Sequence, residues 1–209
     1  GIDGTTVLDV DTSVITSGAA TSFTATTGQT VTINRSTSGR KAVAVTAPCW
    51  LLGTDDYMEV ADNALLDFDA DDDFTVLAVV RQWATPTNYG RYIGKWNGTQ
   101  GYVLSSNSTS LGALVYVQDG SDAAQQMTVA QSSGALAVFS ARLDRTLATI
   151  VPGVGTTFAV GSSTTLVGDL SNTGVFRVGR ETGASTSYQD FELVAVAVFR
   201  SALNPVQIS

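Results

Sequence analysis

The feature that most constrains this chain is a series of strand-length apolar segments separated by turn-forming clusters, at a spacing of about ten residues. Such segments fall at 31–33, 42–45, 57–60, 74–80, 91–95, 101–104, 114–117, 136–143, 148–151, 176–179 and 191–199. Periodicity of 3.6 residues is almost absent. Only 63–67 and 204–208 read as single helical turns, and no repeat of fixed period appears. Strands without helices bury their apolar faces against other strands, so the pattern predicts an all-β sandwich or barrel. At 209 residues the chain is long enough to build such a core without cross-links.

Composition narrows the partners. The chain carries 19 acidic and 11 basic residues, a net charge of −8, with the basic residues scattered. Phosphate binding needs clustered Lys and Arg, so nucleic acid and anionic membrane surfaces are disfavoured. No apolar run approaches the length of a membrane-spanning helix, so no membrane insertion is expected. The single cysteine, Cys49, lies in the apolar run Pro48-Cys49-Trp50-Leu51-Leu52, which favours a buried thiol over a reactive one.

Several short motifs, in order, carry a resemblance. They are Asp55-Asp56-Tyr57-Met58-Glu59-Val60, Leu65-Leu66-Asp67-Phe68 with Asp73-Phe74-Thr75-Val76, Tyr92-Ile93-Gly94-Lys95, Gly101-Tyr102-Val103-Leu104, Phe176-Arg177-Val178-Gly179-Arg180, and Val198-Phe199-Arg200-Ser201-Ala202-Leu203. Each is weak alone. Together they cover about residues 50–208, which resemble laminin G-like domains of the concanavalin A-like lectin/glucanase superfamily, of the kind found in bacteriophage structural proteins. The resemblance implies a concanavalin A-like jelly roll of two packed antiparallel sheets. Departures are clear. Residues 135–144 lack the Trp and His usual in that strand, and Val194 and Ala195 stand where an acidic pair sometimes serves a structural calcium ion. Calcium is therefore not carried over from that position.

Residues 1–30 differ from the remainder, being rich in small polar residues with short apolar alternations. They read as an N-terminal extended arm, with 31–209 as the sandwich domain. The last strand is apolar on both faces, Leu193, Ala195, Ala197 and Phe199 on one and Val194, Val196 and Val198 on the other. A wet stripe of that kind is costly, since each buried Val contributes roughly 1.5–3 kcal/mol. It predicts a cover, either the arm or a subunit interface. Arg180 and Arg200 read as surface or rim residues.

Catalysis is not expected. Histidine is absent, which removes Ser-His-Asp, Cys-His and His-metal chemistry. The only glutamates are Glu59, Glu181 and Glu192, and no closely spaced pair on one strand offers glycosidase chemistry. The run Asp67-Phe68-Asp69-Ala70-Asp71-Asp72-Asp73 has D-x-D-x-D spacing, but Asp72 and Ala78 occupy the Gly and Glu positions of an EF-hand loop. It reads as a solvated acidic turn. Calcium held by Asp119, Asp122 and carbonyls lacks support, so no metal or cofactor is expected.

Sugar recognition uses aromatic rings that stack on pyranose faces beside Asn and Asp. Trp83, Asn88, Tyr89, Trp96, Asn97, Asp119 and Tyr188 lie in or beside predicted loops and form the candidate glycan-binding set. For Trp83 and Trp96 the alternative is that they cap the ends of the core. Two functions follow as expectations. One is a non-enzymatic structural, decoration or host-attachment protein on a virion surface, such as a bacteriophage tail or capsid, with other virion proteins or its own copies in a homo-oligomer as partners, and cell-surface glycans as a further partner. The alternative is a carbohydrate-binding or adhesion module of a secreted bacterial protein.

Overall fold

In the computed structural model the chain forms two antiparallel sheets packed face to face, the jelly-roll sandwich that the strand pattern and the motifs imply. The structure describes residues 6–11, 22–24, 30–34, 50–52, 57–82, 90–107, 110–127, 133–180 and 191–208. In the first sheet β1 (Thr6–Asp11) lies beside β16 (Phe191–Phe199), followed by β6 (Phe74–Gln82), β11 (Leu136–Asp144), β12 (Thr149–Val154) and β13 (Thr157–Phe158). Two short strands join it: β4 (Trp50–Leu52) pairs with β16, and β14 (Ser162–Ser163) with β12. The second sheet runs β10 (Ala123–Met127), β9 (Ser110–Asp119), β8 (Gln100–Asn107), β7 (Arg91–Trp96), β15 (Phe176–Val178), β5 (Tyr57–Val60), β3 (Thr30–Asn34) and β2 (Ser22–Thr24).

The arm expected over 1–30 supplies β1 to the first sheet and β2 to the second. These strands extend the sheets in their own planes and do not lie across an outer face. The segment 42–45 and Cys49 lie outside the described residues. The strand β10 was not anticipated, because Ala123-Ala124-Gln125-Gln126-Met127 has no β-branched or aromatic residue. It forms by pairing in register with β9 across a tight turn. Both anticipated helical turns are present. Asn63 caps a 3-10 turn at Ala64–Leu66 by accepting from the Leu65 N–H. Asn204 and Gln207 cap α1 (Pro205–Ile208) reciprocally, each side chain accepting from the other's backbone N–H at 3.0 and 2.8 Å.

The core lies between the sheets, where alternate residues of each strand meet. Aromatic rings bridge it. Tyr92 of β7 packs 4.7 Å from Phe139 of β11 and 5.5 Å from Phe191 of β16. Phe74 of β6 packs on Tyr102 of β8 at 5.0 Å, with Phe68 against both. Each such pair contributes about 0.5–1.5 kcal/mol beyond its buried area. The phenol hydroxyls are satisfied, Tyr92 donating to Gln82 Oε1 and Tyr102 to the Leu66 carbonyl.

The last strand departs from simple alternation. A register shift between Leu193 and Ala195 places a bulge at Val194. Leu193 therefore faces the core with Val196 and Val198, while Ala195, Ala197 and Phe199 face outward. The two faces read from strict alternation are corrected by this one extra residue. The outer face remains apolar, with Leu77 and Val79 of β6 and Val138 of β11 beside Ala195 and Ala197. At one end it is covered by the segment after β16, where Leu203 and Ile208 pack on Phe199. Thr75 Oγ1 holds that cover by donating to the Ser201 carbonyl and accepting from Leu203 N–H, at 2.8 and 2.9 Å.

A charge is sealed inside. Lys95 of β7 is fully buried, and its Nζ pairs with Asp67 and, at 2.7 Å, with Asp62. Asp67 also accepts from Asn172 N–H at 3.0 Å, and its carbonyl accepts from Arg200 Nη2. Three motif residues noted in the sequence, Asp67, Lys95 and Arg200, thus meet at one node. Arg200 is half-buried there and pairs with Asp72. Replacing Lys95 by Met strands Asp67 in a partly dry site, and the Lys95→Met variant is expected to lose about 3–5 kcal/mol of stability. Urea unfolding of the two proteins checks this, and an unchanged midpoint and slope would refute the node.

Candidate ligand-binding site

The outer face of the second sheet differs chemically from that of the first. Register places Tyr116 and Gln118 of β9, Val103 of β8, Gly94 and Trp96 of β7, Arg177 of β15, and Tyr57 and Glu59 of β5 on this face. Trp96 meets Tyr116 edge to face at 5.3 Å, and the Tyr116 hydroxyl donates to Gln118 Oε1 at 2.7 Å. Burial pushes the Tyr116 phenol up, and the nearby Arg91 guanidinium opposes that shift. Beyond Gly94, Arg177 pairs with Glu59 at 3.2 Å. The Arg177 and Arg180 guanidiniums lie 5.6 and 4.9 Å from the centre of the Tyr57 ring. Gly94 is required between these groups, because a Cβ there would meet the Tyr102 carbonyl at 2.7 Å.

Of the sequence-predicted set, Trp96, Asn97 and Asp119 lie on or beside this sheet. Trp83, Asn88, Tyr89 and Tyr188 lie outside the described residues. Trp96 ends β7 and is 9% exposed, its ring packed on Tyr116. Asn97 and Asp119 each open a two-residue hairpin turn whose first central residue is a glycine at positive φ, Gly98 at 106° and Gly120 at 100°. Asn97 Oδ1 accepts from Thr99 N–H and Gln100 N–H at 3.0 and 2.9 Å. Both turns lie at the same end of the sheet. Tyr57, Tyr116, Gln118, Arg91 and Arg177, outside the sequence-predicted set, also belong to this face, and their signal is the alternation of large polar or aromatic residues with core residues along β5, β7, β9 and β15.

The end that carries Asn97 and Asp119 is acidic, and several of its carboxylates are committed to structure. Asp73 accepts from Arg145 N–H at 2.6 Å, Asp69 from Ser171 Oγ at 2.9 Å, and Asp72 pairs with Arg200. Arg145 donates to the carbonyls of Val167 and Gly168 at 2.5 and 2.7 Å, gathering these loops. Its burial lowers the guanidinium pKa, and Asp73 and Asp72 oppose that shift. Among the described residues no group of three or more His, Cys, Asp or Glu side chains converges on a metal-sized site.

Asp119 is held as a carboxylate by backbone N–H groups of Asp122, Gly168 and Ser121, at 2.8, 2.8 and 2.9 Å, which lower its pKa. A carboxyl group whose folded pKa is depressed stabilises the fold above its unfolded pKa, about 3.9, and loses that contribution as pH falls through the folded value. Asp119→Ala is expected to cost about 1–3 kcal/mol at pH 7. The gap between variant and parent should narrow as pH falls below about 4. Urea titrations at pH 7 and pH 3 measure it, and a gap independent of pH would remove the charged interaction from the account.

No protein-family model matches the sequence, and no curated protein matches it. Similarity lies in solved structures. The binding domain of Paraclostridial Mosquitocidal Protein 1 superposes with a TM-score of 0.75 at 12% identity, over 99% of this chain and 51% of that one. The botulinum neurotoxin serotype D binding domain does so with a TM-score of 0.72 at 10% identity, over 99% and 50%. Domain 4 of AbnA, a GH43 extracellular arabinanase from Geobacillus stearothermophilus, was solved in complex with arabinotriose. It superposes with a TM-score of 0.69 at 10% identity, over 98% of this chain and 97% of that one. The chain thus spans about half the length of the toxin binding domains and nearly all of the arabinanase domain. At these identities the likeness establishes a shared β-sandwich fold.

Proposed function

We propose that this chain is a non-catalytic recognition module that binds glycans on the outer face and loops of its second sheet. The observation that carries the reading is the chemistry of that face. Tyr116, packed on the buried Trp96, supplies aromatic surface, Tyr57 lies beside the Arg177 and Arg180 guanidiniums, and Gln118, Glu59 and Arg91 supply donors and acceptors. Sugars are recognised by rings that pack on their C–H faces and by planar polar groups that bridge adjacent hydroxyls. Trp83, Asn88, Tyr89 and Tyr188 belong to the proposal on sequence grounds, with Asn97 and Asp119 in the hairpin turns. The arabinotriose complex of AbnA domain 4 and the binding roles of the toxin domains support a recognition role for the fold. The place of action is then outside a cell.

A second reading has its own observation. The aliphatic outer face of the first sheet, with Leu77, Val79, Val138, Ala195 and Ala197, suits assembly with further copies or with other proteins on a particle such as a bacteriophage virion. Light scattering separates the two, since a stable oligomer supports assembly and a monomer at high concentration argues against it.

Binding of the labelled protein to a glycan array tests the first reading. Retention of a restricted set of oligosaccharides is expected. Tyr116→Ala and Arg177→Ala should weaken it about tenfold or more, as loss of stacking and of charge-assisted hydrogen bonds implies. Trp83→Ala and Tyr89→Ala report on the loop share. Absence of any retained glycan, or retention indifferent to all four variants, would defeat the proposal.

A further inference from the structure

On the opposite side of the sandwich, the outer face of the first sheet holds a pocket of about 350 Å³ between β11, β12, the turn after β13 and α1. Its walls are Leu147, Val151, Phe158, Ala159, Pro205 and Ile208, with Arg142 and Thr149 as the polar groups. That is the composition of a small-molecule site, an apolar cavity with a few placed polar groups, near the small end of the usual volume range. Of the lining residues Leu147 is 64% exposed, and Val160 and Val206, next in sequence to lining residues, are 88% and 83% exposed.

Arg142 gives the pocket its sign. It projects from β11 toward the outer face, opposite Val151 of β12 and Thr75 of β6. Its Nη1 reaches the Leu203 carbonyl at 3.4 Å, and its Nε is buried without a hydrogen-bond partner. Arg81, Arg177 and Arg200 each have a carboxylate at 2.6 to 3.2 Å, whereas Arg142 has none among the described residues. In a chain with 19 acidic side chains, a partly buried guanidinium beside an apolar cavity and without its own acid is an unfilled demand for a carboxylate.

We propose that this pocket binds a small amphiphile bearing one carboxylate, its apolar body among Leu147, Val151, Phe158 and Ile208 and its carboxylate on the Arg142 guanidinium. At about 30 Å³ per water-sized group, the cavity holds roughly ten to twelve heavy atoms, the size of a medium-chain fatty acid. The site stands on the opposite sheet from the glycan face and does not rest on that reading.

Decanoate and decyltrimethylammonium, kept below their micellar concentrations, are the probes, with calorimetry and amide chemical-shift mapping on the intact chain as readouts. Decanoate is expected to bind at least about tenfold more tightly than the cation of equal chain length, as a charged hydrogen bond implies. Its shifts should centre on Leu147, Val151, Phe158 and Ile208. Arg142→Gln should weaken decanoate about tenfold and leave the cation bound at least as tightly as before. Ala159→Trp, which fills the cavity, should abolish decanoate binding, and Leu147→Asp at the exposed rim should weaken it with no change in the circular dichroism spectrum. Equal affinity for the two probes, an Arg142→Gln variant that binds decanoate as the parent does, shifts centred elsewhere, or no binding at all would each overturn the proposal.

Discussion

An ammonium group enclosed between two sheets must have its counter-charge brought to it, and much of one end of this molecule is arranged to do so. Lys95 is fully buried, so Asp67 has to stand within ion-pair distance. The capped 3-10 turn before Asp67 sets its position, and Asn172 N–H and Arg200 fix its carboxylate and carbonyl. Arg145 then ties the following loop to residues 167–168. The same node restricts its neighbour across the hairpin. A Cβ on Gly101 would lie 2.0 Å from the Lys95 carbonyl, and Gly101 adopts φ of 130°, so glycine is required there. The hairpin turns that bear Asn97 and Asp119 are held against this fixed end, with Asp119 bonded directly to Gly168.

The two outer faces answer different physical demands. That of the first sheet is aliphatic and covered at one end by the segment after β16, through Leu203 and Ile208. That of the second carries aromatic rings, guanidiniums and amides already in contact with one another. The Tyr116–Gln118 and Arg177–Glu59 contacts hold these side chains in place, so they have less freedom left to lose in any further contact.

The sandwich was legible in the sequence because its central strands combine apolar alternation with β-branched and aromatic residues, and residues 57–60 and 191–199 were read to the residue. What was hidden depended on partners. The strand β10 has no intrinsic preference for extension and is set by β9. The bulge at Val194 changes the face of every residue before it, yet Leu193-Val194-Ala195 contains nothing to distinguish it from regular alternation. The candidate site was partly legible for a related reason. Loop aromatics announce themselves by type, whereas Tyr57 and Arg177 become neighbours only when the non-sequential strands β5 and β15 are laid side by side. The aspartate run drew notice by composition, and its role in holding loops together rests on Arg145, Arg200 and Ser171, all far away in sequence.

The ordering of strands has a consequence for how copies meet. Among the described strands, those bordering the sheets are short or poorly suited to recruiting another chain: β2 has three residues, β13 and β14 two each, β1 carries Asp9 and Asp11, and β10 is made of Ala, Gln and Met. Backbone groups at a border can knit separate molecules into a continuous sheet, and brevity and charge are the usual defences. A domain bounded in this way tolerates display at high density on a surface, where neighbours touch rim to rim, without growing into fibres.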